Sequence, residues 1–278
     1  MQQQVQVDGI DVLIEGEGDE TIVMLHGWPD TYRLWDAQVA ALAPRYRCVR
    51  FTLPGFDCSK PRRAYGLNEM LAIFERIVTQ VSPGRKVTLM LHDWGCVFGY
   101  QFYMRHPELV SRIVGVDIGD VESKAYMQSL SLGAKLMVLW YQLWLAVAWK
   151  VGGGPGNWMT HFMVRLMKVP ADQRFITSSM NFPYYITWTG AHGSYRDRQR
   201  FVPACPMLFI YGSRKAFMFH SRPWAEALAT QPSCRVLDFK ADHWPMVREP
   251  EAFNAAVVTW LGETDAVVAG AAARARGA

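Results

Sequence analysis

Lys86-Val-Thr-Leu-Met-Leu-His-Asp-Trp-Gly-Cys-Val-Phe-Gly-Tyr100 is the stretch that decides how this chain folds. Lys86 to Leu91 is a short apolar run, as expected of a strand covered on both faces. Gly95 to His106 has helical character and stops before Pro107. A strand that turns directly into a helix projects one side chain above the sheet edge, and here that side chain is Asp93. Gly95 allows the close backbone approach that such a turn needs. The small residue expected at the start of the turn is replaced by Leu91. Taken alone, Asp93 would be an ordinary helix N-cap, so its reading depends on segments far away in the chain.

Working outward, the same alternation of strand and helix recurs. Gln4 to Glu15 alternates around Asp8-Gly9 and predicts a hairpin. Thr21 to Leu25 is a second buried strand, broken by His26-Gly-Trp-Pro-Asp30. Arg33 to Leu42 is helical, Arg47 to Leu53 a strand and Asn68 to Val81 a helix. Ser111 to Ile118 is the strand after the central helix. Strands alternating with helices predict a mostly parallel sheet with helices on both faces. The pattern pauses between about Val121 and Arg200, where the chain is helical and rich in Met and Trp. It resumes with strands at Pro206–Tyr211 and Arg235–Phe239 and helices at Arg222–Thr230 and Glu251–Leu261. The expected organisation is an α/β core from residues 1–120 and 201–264, a helical lid from 121–200, and a frayed Ala/Gly/Arg tail from 265–278. Gly152-Gly-Gly-Pro-Gly156 lacks the Gly-Lys-Ser/Thr ending of a phosphate loop and reads as a linker.

Composition narrows the classes of function. Half of the 278 residues are hydrophobic, enough for a large core without staples. Eleven Trp and 14 Met suit an apolar cavity or lid. The net charge of +4 includes no cluster dense enough for a nucleic-acid footprint. Five scattered Cys without CxxC spacing imply neither a zinc site nor a disulfide framework. The N-terminus carries no secretion signal, so a cytoplasmic protein is expected. Leu136 to Trp149 is apolar but short of the roughly 20 residues a membrane span needs, and reads as a buried or lid helix, with an interfacial helix as the lesser alternative. No metal or cofactor is expected, nor a nucleic-acid partner or a membrane span. The expected ligand is a small apolar substrate, and the expected state a monomer or homodimer.

Two remote segments change the reading of Asp93. His26-Gly27-Trp28-Pro29 follows the third strand, where a backbone N–H can join that of Trp94 in an oxyanion hole. Asp242-His243-Trp244-Pro245 lies between the last strand and the last helix, at the same edge of the sheet. Nucleophile first and His last is the chain order of the elbow fold.

His26–Asp30 (HGWPD), Leu53–Pro61 (LPGFDCSKP), His92–Gly95 (HDWG) and Asp242–Pro250 (DHWPMVREP) together resemble the α/β-hydrolase superfamily, in its epoxide hydrolase and haloalkane dehalogenase branch. That resemblance implies an α/β-hydrolase fold with a helical lid. It also implies a carboxylate nucleophile, Asp93, that forms an alkyl ester, and a general base, His243, that activates water to hydrolyse it. Backbone N–H groups of Trp28 and Trp94 would hold the oxyanion. The acid that orients His243 commonly follows the strand Pro206–Tyr211, but Lys215 stands there. Asp117, at the end of the strand after the elbow helix, is the preferred alternative and Asp120 the second.

Two lid tyrosines would protonate an epoxide oxygen. Tyr141 and Tyr195 match best, with Tyr184 and Tyr185 as rivals for the second. The aromatic Trp28 favours epoxide over halide, while the many lid Trp keep a haloalkane dehalogenase open. A non-catalytic binding homologue is the third reading, because fold does not dictate function.

Overall fold

The structure, a computed structural model, describes residues 2–276. Eight strands form one sheet in the order β1-β2-β4-β3-β5-β6-β7-β8. The strands are β1 (Gln2–Val7), β2 (Ile10–Glu15), β3 (Thr21–Leu25), β4 (Arg47–Phe51), β5 (Val87–His92), β6 (Val110–Val116), β7 (Met207–Gly212) and β8 (Arg235–Phe239). The hairpin β1–β2 closes as the sequence predicts: Val7 faces Ile10, and Asp8 and Gly9 both take positive φ. β2 meets β4 antiparallel, and every pairing from β4 to β8 is parallel.

Helices cover both faces because the strands are apolar on both. Val23, Leu25, Leu89 and Leu91 point to one face, where α2 (Leu67–Val81) and α3 (Trp94–Arg105) pack, after the shorter α1 (Asp36–Leu42) in the chain. Ile22, Met24 and Met90 point to the other, which α1 shares with the last helix. Each such side chain, fully buried, contributes about 1.5–3 kcal/mol. This alternation within continuous apolar runs is what fixes the strand register.

A helical insertion, where the sequence predicts the lid, lies between β6 and β7. It comprises α4 (Lys124–Ser129), α5 (Leu132–Val151), α6 (Gly153–Leu166) and α7 (Phe182–Thr189), with short 3-10 turns at Gln173–Phe175 and Ser178–Asn181. Two expectations need correction. The apolar Leu136–Trp149 segment sits inside a 20-residue helix, long and apolar enough by length and composition to cross a membrane. Its length therefore does not exclude a span; its packing against α6 and α7 is what places it in the lid. The glycine run is not a linker either. Gly152 alone, at φ 64°, separates α5 from α6, and residues 153–156 form the first turn of α6. Any side chain at Gly156 would collide with the Ala148 carbonyl, so the glycine lets the two helices approach.

β7 is followed by α8 (Arg222–Ala229), and β8 by α9 (Pro245–Arg248) and α10 (Pro250–Arg276). α10 runs into the Ala/Gly/Arg segment that composition expects to fray, and residues 277–278 of that segment lie outside the described residues.

Candidate active site

The sites singled out in the sequence meet above the carboxyl ends of the parallel strands, where open α/β sheets bind ligands. Asp93 follows β5, Trp28 follows β3, Asp117 follows β6 and His243 follows β8. Asp93 takes φ 50° and ψ −121° without being glycine, a strained conformation of the kind stored at functional sites. The turn closes because Gly27 and Gly95 lack side chains. A Cβ on Gly27 would strike the Asp93 carboxylate, and one on Gly95 would strike the carbonyls of Leu25 and His26. The turn therefore draws its tightness from these two glycines, and Leu91 is accommodated at its start within the buried strand.

The two oxygens of Asp93 face different partners. The Trp28 N–H donates to Oδ1 at 2.7 Å, and the Trp94 N–H also favours the ionised carboxylate. Oδ2 lies 3.3 Å from His243 Nε2. On the other side of the ring, His243 Nδ1–H donates to Asp117 Oδ2. Asp117 is fully buried and accepts from the Gly212 N–H at 3.0 Å, while its Oδ1 pairs with the Lys215 ammonium. The lysine in the place of the expected acid thus pairs with Asp117, the alternative that the sequence offers. Asp120 points elsewhere, accepting from the Ser221 N–H (2.6 Å), the Ser221 hydroxyl (2.7 Å) and the Ser123 hydroxyl (2.5 Å), and holds the loop before α4.

Electrostatics sort the site. Burial raises the Asp117 carboxyl, but Lys215 and His243 outweigh it and hold the group well below the usual carboxylate range. Asp93 is likewise held low: burial opposes ionisation, and the hydrogen bond and charge of His243 overcome it. Burial would lower His243, yet Asp117 and then Asp93 raise it to about 9.

Three further groups went unnoticed in the sequence. His92 Nε2–H donates to the His243 carbonyl at 2.9 Å and, being buried, falls to about 3, so it stays neutral. His26 accepts from the Leu53 N–H at 2.9 Å and is lowered by burial to about 4. Asp30 accepts from the Trp244 indole at 2.9 Å, with burial pushing it up to about 7. Each sits inside a quoted motif, but only the fold shows what it supports.

A cavity of about 690 Å³ opens over Asp93 between core and lid. Tyr141, Tyr184 and Tyr195 line it. Tyr141 and Tyr184 stand 6.1 Å apart, ring edge to ring face, and the charge of Asp93 acts on both hydroxyls. Tyr195 packs on Trp94 and Phe98 with its hydroxyl turned to the Tyr65 carbonyl at 3.3 Å. Tyr185 is stacked on Trp149 and is not part of the cavity wall. The Trp28 indole donates to Asn181 Oδ1 at 2.7 Å and so ties the loop after β3 to the helical insertion.

Comparison with known proteins agrees with this geometry. A family model described as the α/β-hydrolase fold matches residues 20–149. Over 112 residues, 38% of the chain, there is 37% identity to the protein named "Probable oxidoreductase EphD" of Mycobacterium tuberculosis, covering 19% of that protein. A cis-3-alkyl-4-alkyloxetan-2-one decarboxylase of Xanthomonas campestris is 33% identical over 112 residues, 37% of this chain and 37% of that one. The chain thus matches well under half the length of these relatives. An epoxide hydrolase of Bacillus megaterium, solved with an inhibitor, superposes with a TM-score of 0.67 at 19% identity, covering 94% of this chain and 100% of that one. At that identity the likeness establishes the fold. The chain has the α/β-hydrolase fold, and its residues 20–149 match the model of the family described by that fold.

Proposed function

We propose that this protein opens an epoxide through a covalent ester on Asp93. The reading rests on one observation: the two oxygens of Asp93 are divided between the Trp28 N–H and the His243 imidazole, beneath the hydroxyl-bearing rings of Tyr141 and Tyr184. An ionised carboxylate needs no base to attack an sp³ carbon. Oδ2 forms the new C–O bond, the ring C–O bond breaks, and the leaving oxygen takes a proton from Tyr141 or Tyr184. Once the ester has discharged Asp93, His243 gives up its resting proton to solvent; it then removes a proton from water, and the hydroxide adds to the ester carbon. The oxyanion forms on Oδ1, already against the Trp28 N–H, where one such donor is worth roughly 2.7–4 kcal/mol in comparable sites. Collapse expels the diol, whose leaving oxygen takes the proton from His243, and the proton left on the Asp93 carboxyl returns to the tyrosinate, which restores the resting carboxylate and phenol.

The charge of Asp93 times these steps. While ionised, it helps keep the proton on His243, and it adds to the upward shift that burial chiefly gives both tyrosines, Tyr141 to about 12. Esterification discharges it. The tyrosines then become better acids, and His243 becomes readier to act as a base.

Halide release is less favoured, because the Trp28 indole N–H is committed to Asn181 and is not free to hold a leaving halide. The oxetanone named for the Xanthomonas relative is another strained ring with an sp³ C–O bond, and belongs in the same test.

The test is intact-protein mass spectrometry of His243→Gln with styrene oxide, a simple bromoalkane and a cis-dialkyl oxetanone. A hydroxyalkyl adduct on Asp93 from the epoxide is the expected result. An alkyl adduct with bromide release reassigns the protein as a dehalogenase, and an oxetanone adduct alone moves it to lactone chemistry. With no adduct from any of the three, the binding-protein reading takes over.

A further inference from the structure

The lid carries an apolar face that the chain itself leaves uncovered. Along α5, Leu132, Leu136, Trp140, Leu143, Val147 and Val151 recur at steps of three or four and are all exposed, Leu132 at 73%. On α6, Trp158 (61% exposed), Phe162 and Leu166 repeat at steps of four. The two stripes form one surface, since Trp144 bridges them. Its ring lies 6.1 Å from Trp140 and 5.4 Å from Phe162, and its indole donates to the Met159 carbonyl at 2.9 Å. An exposed patch on this scale marks an interaction site.

Charge identifies the occupant. From Lys124 to Ala171 the sequence has five cations (Lys124, Lys135, Lys150, Arg165 and Lys168) and no Asp or Glu. Lys135 and Lys150 flank the α5 stripe, and Arg165 and Lys168 close the α6 stripe. All four are exposed, and none has an acidic partner among the described residues. Apolar and aromatic residues on one face, with cations at its ends, are the pattern of a helix lying in a lipid headgroup layer. A second copy of the chain would bring two acid-free cationic faces together, which charge repulsion opposes. A span is opposed by the inner face of α5, where Leu145 and Ala148 are fully buried and Tyr141 lines the cavity.

We propose that the outer face of the α5–α6 hairpin docks, parallel to the surface, on membranes containing anionic phospholipid. The cavity rim includes Lys135 and Leu139 of the same helix, so the docked lid sets the mouth of the active-site cavity beside the bilayer. An apolar substrate dissolved in lipid would then reach Asp93 without crossing bulk water. That last step rests on the proposed function; docking itself does not.

The experiment is flotation of the full chain with phosphatidylcholine vesicles, with and without phosphatidylglycerol, which needs no turnover. Wild type floats with the anionic vesicles, and about tenfold less with phosphatidylcholine alone. Leu136→Asp/Leu143→Asp loses flotation, Lys150→Glu/Arg165→Glu weakens it strongly, and Val202→Asp, an exposed apolar site outside the α5 and α6 stripes, leaves it unchanged. All these positions are exposed, so circular dichroism should match wild type. The proposal is overturned if the wild type fails to float, or if the stripe variant floats as well as wild type. It is overturned equally if sedimentation shows a wild-type dimer that Leu136→Asp/Leu143→Asp splits, for the patch would then be a self-interface.

Discussion

The charges of Lys215, Asp117 and His243 form a line: ammonium to carboxylate to imidazole. Lys215 draws on one oxygen of Asp117 and His243 on the other, so the lysine limits how strongly Asp117 can hold a proton on the imidazole. Burial lowers Lys215, while Asp117 supports its charge. In Lys215→Met, Asp117 acts on His243 alone. The acid limb of the turnover profile should then move to higher pH, because the imidazole must lose a more tightly held proton before it can serve as a base. Stability should fall by about 1–3 kcal/mol for the lost charge-assisted bond, since the buried Asp117 Oδ1 keeps only the Gly212 N–H. A pH–rate profile and a denaturant titration measure the two effects, and an unmoved limb would show that Lys215 only fills space. The tyrosines give a second contrast at this scale. Positioned proton donors contribute about 10²–10⁴-fold, so Tyr141→Phe and Tyr184→Phe should each cost at least about tenfold in kcat for an epoxide. Tyr195→Phe, whose hydroxyl is turned to the Tyr65 carbonyl, should stay within about threefold. Equal losses at Tyr184 and Tyr195 would refute the assignment. The chain order of motifs pointed to Asp93, His243 and Asp117. It could not rank Tyr184 above Tyr195, since which lid ring turns its hydroxyl toward Asp93 is decided by packing between helices.

Between elements, the connection that matters most joins the β3 loop to the lid. The Trp28 indole donates to Asn181 Oδ1, Asn181 Nδ2 donates to the Thr160 hydroxyl at 2.7 Å, and that hydroxyl donates to the Gly156 carbonyl at 2.8 Å. Asn181 and Thr160 are fully buried, so each of these groups depends on the others for a partner. The chain of bonds fixes the ring of the same residue whose N–H touches Asp93. Asn181→Ala should cost about 1–3 kcal/mol in stability. It should lower kcat more than it raises KM, because the Trp28 N–H is needed chiefly at the oxyanion. Asn181→Asp keeps the acceptor for Trp28 and should recover more of kcat than of stability. If KM changes and kcat does not, Asn181 shapes the cavity instead of the oxyanion hole. Such connections were invisible in the sequence, and so was the true extent of the lid helices. Apolar runs such as Thr21–Leu25 announce buried strands because their burial is two-sided, and the strand positions agree with expectation to within a residue or two. The Gly-Gly-Gly-Pro-Gly run announced a break. Glycine disfavours a helix locally, but the close approach of α6 to Ala148 requires it there, and the tertiary contact prevails.

At the scale of the whole molecule, the candidate active site makes folding depend on pH in a direction that can be stated in advance. His243 has an ordinary value of 6.5 and is raised in the folded chain to about 9, burial being outweighed by Asp117 and Asp93. The folded state therefore holds a proton that the unfolded state releases between those values. Its stabilisation is fully present below pH 6.5 and is lost as pH rises through about 9, amounting to about 3 kcal/mol over the window. Asp93 and Asp117, held below their usual range, act at the other end: their contribution is present above pH 4 or so and disappears on acidification. Asp30, raised from 3.8 to about 7, works against them across pH 4 to 7, where the folded chain keeps a proton that the unfolded chain gives up. The expected profile rises out of acid, is broad near neutrality and declines toward pH 9. Urea titrations at intervals across that range would trace it. In His243→Gln the alkaline decline should flatten, because the group responsible for it is gone, while the loss in acid should persist. The comparison separates the active site from the rest of the molecule. A decline of unchanged slope in the variant would mean that the imidazole carries little charge in the folded resting protein. The timing assigned to Asp93, which depends on His243 starting protonated and becoming a base after the ester forms, would then have to be abandoned.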